Sequence, residues 1–284
     1  MSMPETVGVI GGGRMGAGIA HAFALTGSRV VIVERDDDAA AAALERVHAS
    51  LKRSAQKGFA QKSLDKMTDA VSASTAFTAL RGSALVVEAV FEDRPTKIDT
   101  LRQAEEIIST GTPLASNTSS ISIDELASAL ENPQRFLGLH FFNPVPTSTL
   151  VEIVIGSRTA SELESAARGW VAGLGKAPVV VRDSPGFASS RLGVALALEA
   201  IRMVEAGVAS AEDIDTAMEQ GYRHPVGPLR TTDIVGLDVR LGIAEELHRK
   251  LGERFAPPEL LRKLVADGRL GRKSGQGFYE WSES

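Results

Sequence analysis

The chain has 284 residues, enough for two domains or one large one. With 43% hydrophobic and 24% charged residues it has the composition of a soluble globular protein, and a net charge of −5 argues against nonspecific nucleic-acid binding. The lack of cysteine excludes disulfides, thiolate catalysis and cysteine metal sites, and the five histidines show no metal-ligand spacing, so no metal is expected.

The first predicted element is the apolar run Val7-Gly8-Val9-Ile10. Met1-Ser2-Met3-Pro4-Glu5 leads straight into it and leaves no room for a signal peptide. No apolar run reaches the roughly 20 residues of a membrane span. A cytoplasmic location is therefore expected. After the strand comes Gly11-Gly12-Gly13-Arg14-Met15-Gly16, then a small-residue helix pattern. Strand, glycine turn and helix start form the context of the dinucleotide fingerprint. Gly11 suits a tight turn, Gly13 a close approach to a pyrophosphate, and Gly16 tight packing of helix on strand. The free N–H groups of that helix, around Arg14 and Met15, would face the phosphates. The next strand, Arg29-Val30-Val31-Ile32-Val33, ends in Glu34, where a carboxylate holds the adenine ribose hydroxyls and repels a 2′-phosphate. The expected cofactor is NAD, with Arg35 as the feature that would suit NADP.

An alanine-rich helix follows over 38–57, and its far end collects Lys52, Arg53 and Lys57, with Lys62 beyond. Two readings stand: a solvated basic face, or a site for a phosphate-rich tail. Short strands follow at Val71-Ser72 and at 84–90, the second nearly all apolar, as a central parallel strand should be. A helix over 96–109 has Pro95 in its first turn. The strand 113–116 runs into Asn117-Thr118-Ser119-Ser120, polar groups at a strand's carboxyl end, where open α/β sheets bind ligands. Ser122 or Asp124 would cap the next helix. The strand ending in His140-Phe141-Phe142-Asn143-Pro144 precedes Leu150-Val151-Glu152-Ile153-Val154-Ile155, whose one carboxylate is costly to bury alone. His140 is its natural partner if the proline loop folds the two strands side by side. A helix over 160–173 and a strand over 177–181 complete the first part.

The rhythm of β-branched runs and helical patterns implies right-handed βαβ units and a parallel sheet. The Asp183-Ser184-Pro185-Gly186-Phe187 stretch marks a boundary between residues 1–184 and 185–284. Helices are expected beyond it over 190–206 (with an apolar stripe of Leu192, Leu196, Ile201 and Val204), from Ser210 as cap, over 231–251 and over 258–266. The expected class is α/β with a Rossmann-type N-terminal domain, plus an all-α C-terminal domain.

These motifs, with Val86-Val87-Glu88-Ala89, Glu212-Asp213-Ile214-Asp215, Gly227-Pro228 and 271–279, resemble the 3-hydroxyacyl-CoA dehydrogenase family, most of all its short 3-hydroxybutyryl-CoA type. The resemblance runs almost end to end. It implies NAD-dependent oxidation of an L-3-hydroxyacyl-CoA, short-chain, to the 3-ketoacyl-CoA. His140 would take the hydroxyl proton, Glu152 would orient and charge-balance the ring, and Ser119 would hydrogen-bond the reacting oxygen. Imidazole suits the role because its ordinary pKa lies near neutrality. By position, the glycine loop 11–16 and Glu34, Glu92, Lys97, Ser119, Asn143 and Lys273 would contact the cofactor, and Ser50 and Lys57 the CoA. The family commonly has an asparagine that helps hold the substrate where this chain has Ser190, before Arg191. Serine is shorter and lacks the amide's donors, so the acyl preference is open. The resemblance further implies a homodimer through the helical domain. Two other readings share the features: a dehydrogenase of a CoA-free hydroxy compound such as carnitine or a sugar acid, and a nucleotide-binding protein without catalysis.

Overall fold

The computed structural model describes residues 2–58 and 63–281; Lys62 lies outside them. These residues form two compact units, one up to Ser184 and one from Pro185 onward.

The first unit runs β1 (Thr6–Ile10), α1 (Arg14–Leu25), β2 (Arg29–Val33), α2 (Asp37–Gln56), α3 (Leu64–Asp69), β3 (Val71–Ser74), β4 (Leu85–Glu88), α4 (Arg94–Ile107), β5 (Leu114–Ser116), α5 (Ile123–Ala127), β6 (Phe136–Phe141), β7 (Leu150–Ile155), α6 (Ser161–Gly173) and β8 (Ala177–Arg182). The eight strands lie in the order β3-β2-β1-β4-β5-β6-β7-β8. All neighbouring pairs are parallel except β6 and β7. The strand order reverses between β1 and β4, which are parallel, and this opens a crevice beyond their carboxyl ends. β1, β4 and β6 are buried almost throughout, as strands covered on both faces must be. Val7, Val9, Ile32 and Val87 meet Ile19, Phe23, Val47 and Leu51 from the helices in one core.

Local chemistry sets the helix starts. Asp36 caps α2 by accepting from Ala39 N, Asp93 caps α4 with Pro95 in its first turn, and Ser122 caps α5 through Glu125 N.

The second unit is helical: α7 (Ser189–Glu205), α8 (Ala211–Thr216), α9 (Pro228–Val235), α10 (Leu237–Leu251) and α11 (Glu259–Ala266). Two expectations are corrected here. The helix expected over 231–251 is two helices, broken at Gly236, whose φ of 106° is closed to most L side chains. The apolar stripe of α7 holds at Ile201 and Val204, which lie in or against the core, but is misplaced toward its start. Val194, Ala197, Leu198 and Ile201 face the core, at i, i+3, i+4 and i+7, whereas Leu192 is 70% exposed. Two buried aspartates organise the unit. Asp215 accepts from Leu229 N, Arg230 N and the Tyr279 hydroxyl, and Asp233 from Phe278 N, Tyr279 N and Trp281 Nε1. Among the described residues, no helix is long and apolar enough to cross a membrane.

Candidate active site

The glycine turn forms the first wall. Gly11 has φ +90°, and a Cβ on Gly16 would stand 1.7 Å from Gly11 O, so the helix can pack this close only without a side chain. A Cβ on Gly13 would meet nothing within 4 Å. α1 has no side-chain cap and no acid in its first turn. Open space beside an uncapped helix N-terminus, reached by exposed Arg14 and flanked by half-buried Met15, fits an anionic pyrophosphate. Glu34 stands at the next strand end, and its Oε1 accepts from Gly12 N at 2.6 Å.

On the other side of the crevice, β4 and β5 end in a charged network. Glu88 is fully buried and accepts from Lys97 Nζ at 2.7 Å, Val90 N at 2.7 Å and Ser116 Oγ at 2.5 Å. Lys97, 1% exposed, also faces Glu92 at 3.3 Å. Glu92 gathers the polar turn after β5, accepting from Thr118 Oγ1 at 2.6 Å, Ser119 N at 2.8 Å and Ser120 N at 2.9 Å. Burial pushes the Glu92 carboxyl up, but Lys97 and these hydrogen bonds outweigh it and hold the group below the usual carboxylate range. Ser119 is thus fixed by its backbone, and its hydroxyl lies 3.2 Å from the same carboxylate.

The antiparallel pairing of β6 and β7 sets His140 directly opposite Glu152. His140 Nδ1 lies 2.8 Å from Glu152 Oε2, with His140 7% and Glu152 0% exposed. At this distance Nδ1 and the carboxylate share a hydrogen bond, which fixes the orientation of the imidazole ring. Phe142 packs its ring 4.5 Å from the imidazole. Asn117 ties the strand to the polar turn, its Oδ1 accepting from Phe141 N at 2.8 Å. Exposed Asn143 follows, joined to Pro144 by a cis peptide.

Residues 6–184 match the family described as 3-hydroxyacyl-CoA dehydrogenase, NAD binding domain, and residues 186–281 match 3-hydroxyacyl-CoA dehydrogenase, C-terminal domain. The chain belongs to the 3-hydroxyacyl-CoA dehydrogenase family. It is 41% identical to the 3-hydroxybutyryl-CoA dehydrogenase of Mycobacterium tuberculosis, covering 98% of each chain. It is 40% identical to the mitochondrial hydroxyacyl-coenzyme A dehydrogenase of Sus scrofa, over 97% of this chain and 90% of that one. The crystal structure of (S)-3-hydroxybutyryl-CoA dehydrogenase from Ralstonia eutropha superposes with a TM-score of 0.94 at 38% identity, covering 99% of this chain and 100% of that one.

This 3-hydroxyacyl-CoA dehydrogenase is accordingly an NAD-dependent oxidoreductase with a Rossmann-type domain. The remaining residues expected at the site from the sequence fall in two places. Ser50, Lys52, Arg53 and Lys57 lie at the far end of α2; Ser50 Oγ accepts from Arg53, and none of the three cations is ion-paired among the described residues. Ser190, in the first turn of α7, and Lys273, whose ammonium meets the Asp238 carboxylate at 2.6 Å, belong to the helical unit. Sequence reasoning noted Glu88 and Asn117 within motifs but gave neither a role of its own. Glu88 carried a legible signal, a lone carboxylate in an apolar strand, the same signal that picks out Glu152.

Proposed function

We propose that the chain oxidises short-chain L-3-hydroxyacyl-CoA esters to 3-ketoacyl-CoA, with His140 and Glu152 handling the proton. The buried Nδ1–Oε2 contact of 2.8 Å carries this reading. Nε2 of His140 takes the proton of the 3-hydroxyl. Glu152 keeps the Nδ1–H tautomer and stabilises the imidazolium as it forms. The Ser119 hydroxyl bonds the reacting oxygen. Bound NAD supplies the hydride acceptor. The glycine turn 11–16, Glu34, Glu92, Asn143 and Lys273 hold that cofactor. Lys97 serves it by pairing Glu92, because its own ammonium is enclosed by two carboxylates. Ser50 and Lys57 receive the CoA phosphates, and Ser190 helps hold the acyl part. The helical unit also carries a homodimer contact, and the enzyme works in the cytoplasm.

The test is NADH oxidation with acetoacetyl-CoA, beside NADPH and free acetoacetate. Turnover confined to NADH with the thioester is expected. Equal turnover of free acetoacetate would sink the CoA site. Glu152→Gln should lower kcat about 10²-fold or more, the usual reach of acid–base assistance, while the Kd for NAD stays put. A loss of stability with kcat kept would make Glu152 structural.

A further inference from the structure

Among the described residues, the buried cations Lys97 and Arg135 meet carboxylates. Lys176, between α6 and β8 and 8% exposed, meets none. Its ammonium donates to the Val145 carbonyl at 2.7 Å and to the Ser148 carbonyl. Both carbonyls belong to one segment, residues 142–149, which joins β6 to β7. Neither has another donor among the described residues. Enclosing an ammonium costs free energy, and burial holds this one below the usual lysine range. The cost falls at the connection between the strand of His140 and the strand of Glu152.

The same segment has two further anchors. Val145 is the one buried residue of 143–149, and it packs on Gly18, where a Cβ would stand 2.7 Å from Val145 Cβ. Gly18 lies one turn into α1, the helix whose N-terminus faces the pyrophosphate site. Ala177 N, next to Lys176, donates to Thr149 O at 2.6 Å. The segment is thus held between α1 and the head of β8. The adenine end of a dinucleotide belongs beside Glu34, at the end of β2. Its nicotinamide end therefore lies across the switch point, over β4, β5 and β6. Exposed Asn143, two residues past the end of β6, is on that side.

We propose that Lys176 is a positioning residue for the nicotinamide end of the cofactor. It holds the 142–149 segment against α1 and so sets where Asn143 stands relative to the pyrophosphate turn. This rests on the reading above that the glycine turn and Asn143 hold NAD, and it adds a residue that touches neither cofactor nor substrate.

The experiment compares the affinities of NADH and of ADP-ribose, which keeps the adenine and pyrophosphate and lacks the nicotinamide. NADH is followed by fluorescence titration and ADP-ribose by competition. Asn143→Ala should weaken NADH by about tenfold, the upper worth of one hydrogen bond, and leave ADP-ribose within about twofold. Lys176→Met should give the same pattern. The double variant should lose little more than Asn143→Ala alone, because the two changes act through one contact. Lys176→Arg keeps the donors and should restore part of the NADH affinity. If Lys176→Met does not fold, Lys176→Gln, which keeps an amide donor, carries the same comparison. Equal losses for NADH and ADP-ribose in the Lys176 variant overturn the proposal, because a merely structural lysine would disturb both ends of the site. So does a loss of NADH affinity in Asn143→Ala with none in Lys176→Met. If Asn143→Ala itself leaves NADH affinity unchanged, the cofactor reading of Asn143 falls, and this inference with it.

Discussion

At the level of single residues, burial decides which charges are structural. Lys97 matches a cofactor-contacting place by position, yet its ammonium is enclosed between Glu88 and Glu92. That could not be read from the sequence, because the pairing depends on α4 returning over the end of β4. Lys97→Met should strand the Glu88 carboxylate in the core and cost about 3–5 kcal/mol in urea denaturation. A second change, Glu88→Gln, should recover part of it; a single variant within 1 kcal/mol of wild type would show that the pair is dispensable. His21 behaves differently. It is 1% exposed beside Ser54, and burial, with Arg53 and Lys176 adding, pushes its imidazole from 6.5 down to about 4. Below pH 6.5 the unfolded chain binds a proton that the folded chain refuses. The stability this group contributes is therefore full above pH 6.5 and is lost as pH falls toward 4. Between pH 7 and 5 the loss should be about 2 kcal/mol, at 1.36 kcal/mol per unit. His21→Gln should flatten that part of the stability–pH curve, and an unchanged slope would mean that His21 protonates freely in the fold.

At the level of elements, the legible parts were those fixed by short-range chemistry. The glycine turn, the Ser122 cap and the Ser210 cap all follow from contacts within a few residues. The break at Gly236 and the core face at the start of α7 depend on neighbours far along the chain, and periodicity alone missed the break and placed only the Ile201–Val204 end of the face. His140 and Glu152 stand between these cases. Each was visible as a polar residue in an apolar strand, but their pairing needed β7 to run antiparallel to β6. The glycine turn permits a sharp test, because its positions do different work. Gly13→Ala adds a methyl to open space at an extended backbone, so thermal stability should hold while NAD affinity falls. Gly16→Ala drives a carbon into Gly11 O and should destabilise the domain by several kcal/mol. Calorimetry and NADH fluorescence titration separate the two. Unaltered NADH binding in Gly13→Ala would remove the pyrophosphate from this turn.

At the level of the whole molecule, the distribution of exposed apolar side chains is uneven. Of the eight large hydrophobic residues exposed among those described, six lie in the helical unit: Leu192, Val208, Tyr222, Ile234, Val235 and Val239. Phe91 and Val179 are the two in the larger unit. Scattered exposed hydrophobics are ordinary on a monomer, but concentration in the smaller unit is what an uncovered contact leaves behind. A second copy of the chain is the occupant that needs no further partner, and a two-fold contact would use the same residues from both sides. Light scattering should give twice the chain mass, and the melting temperature should rise with protein concentration, because association stabilises the folded form by mass action. Tyr222, 76% exposed, offers the perturbation: Tyr222→Glu should shift the mass toward the monomer while NADH still binds the other unit. A monomer mass at every concentration, with a melting temperature independent of concentration, would mean that these side chains face solvent and that the helical unit closes its own core without a second copy.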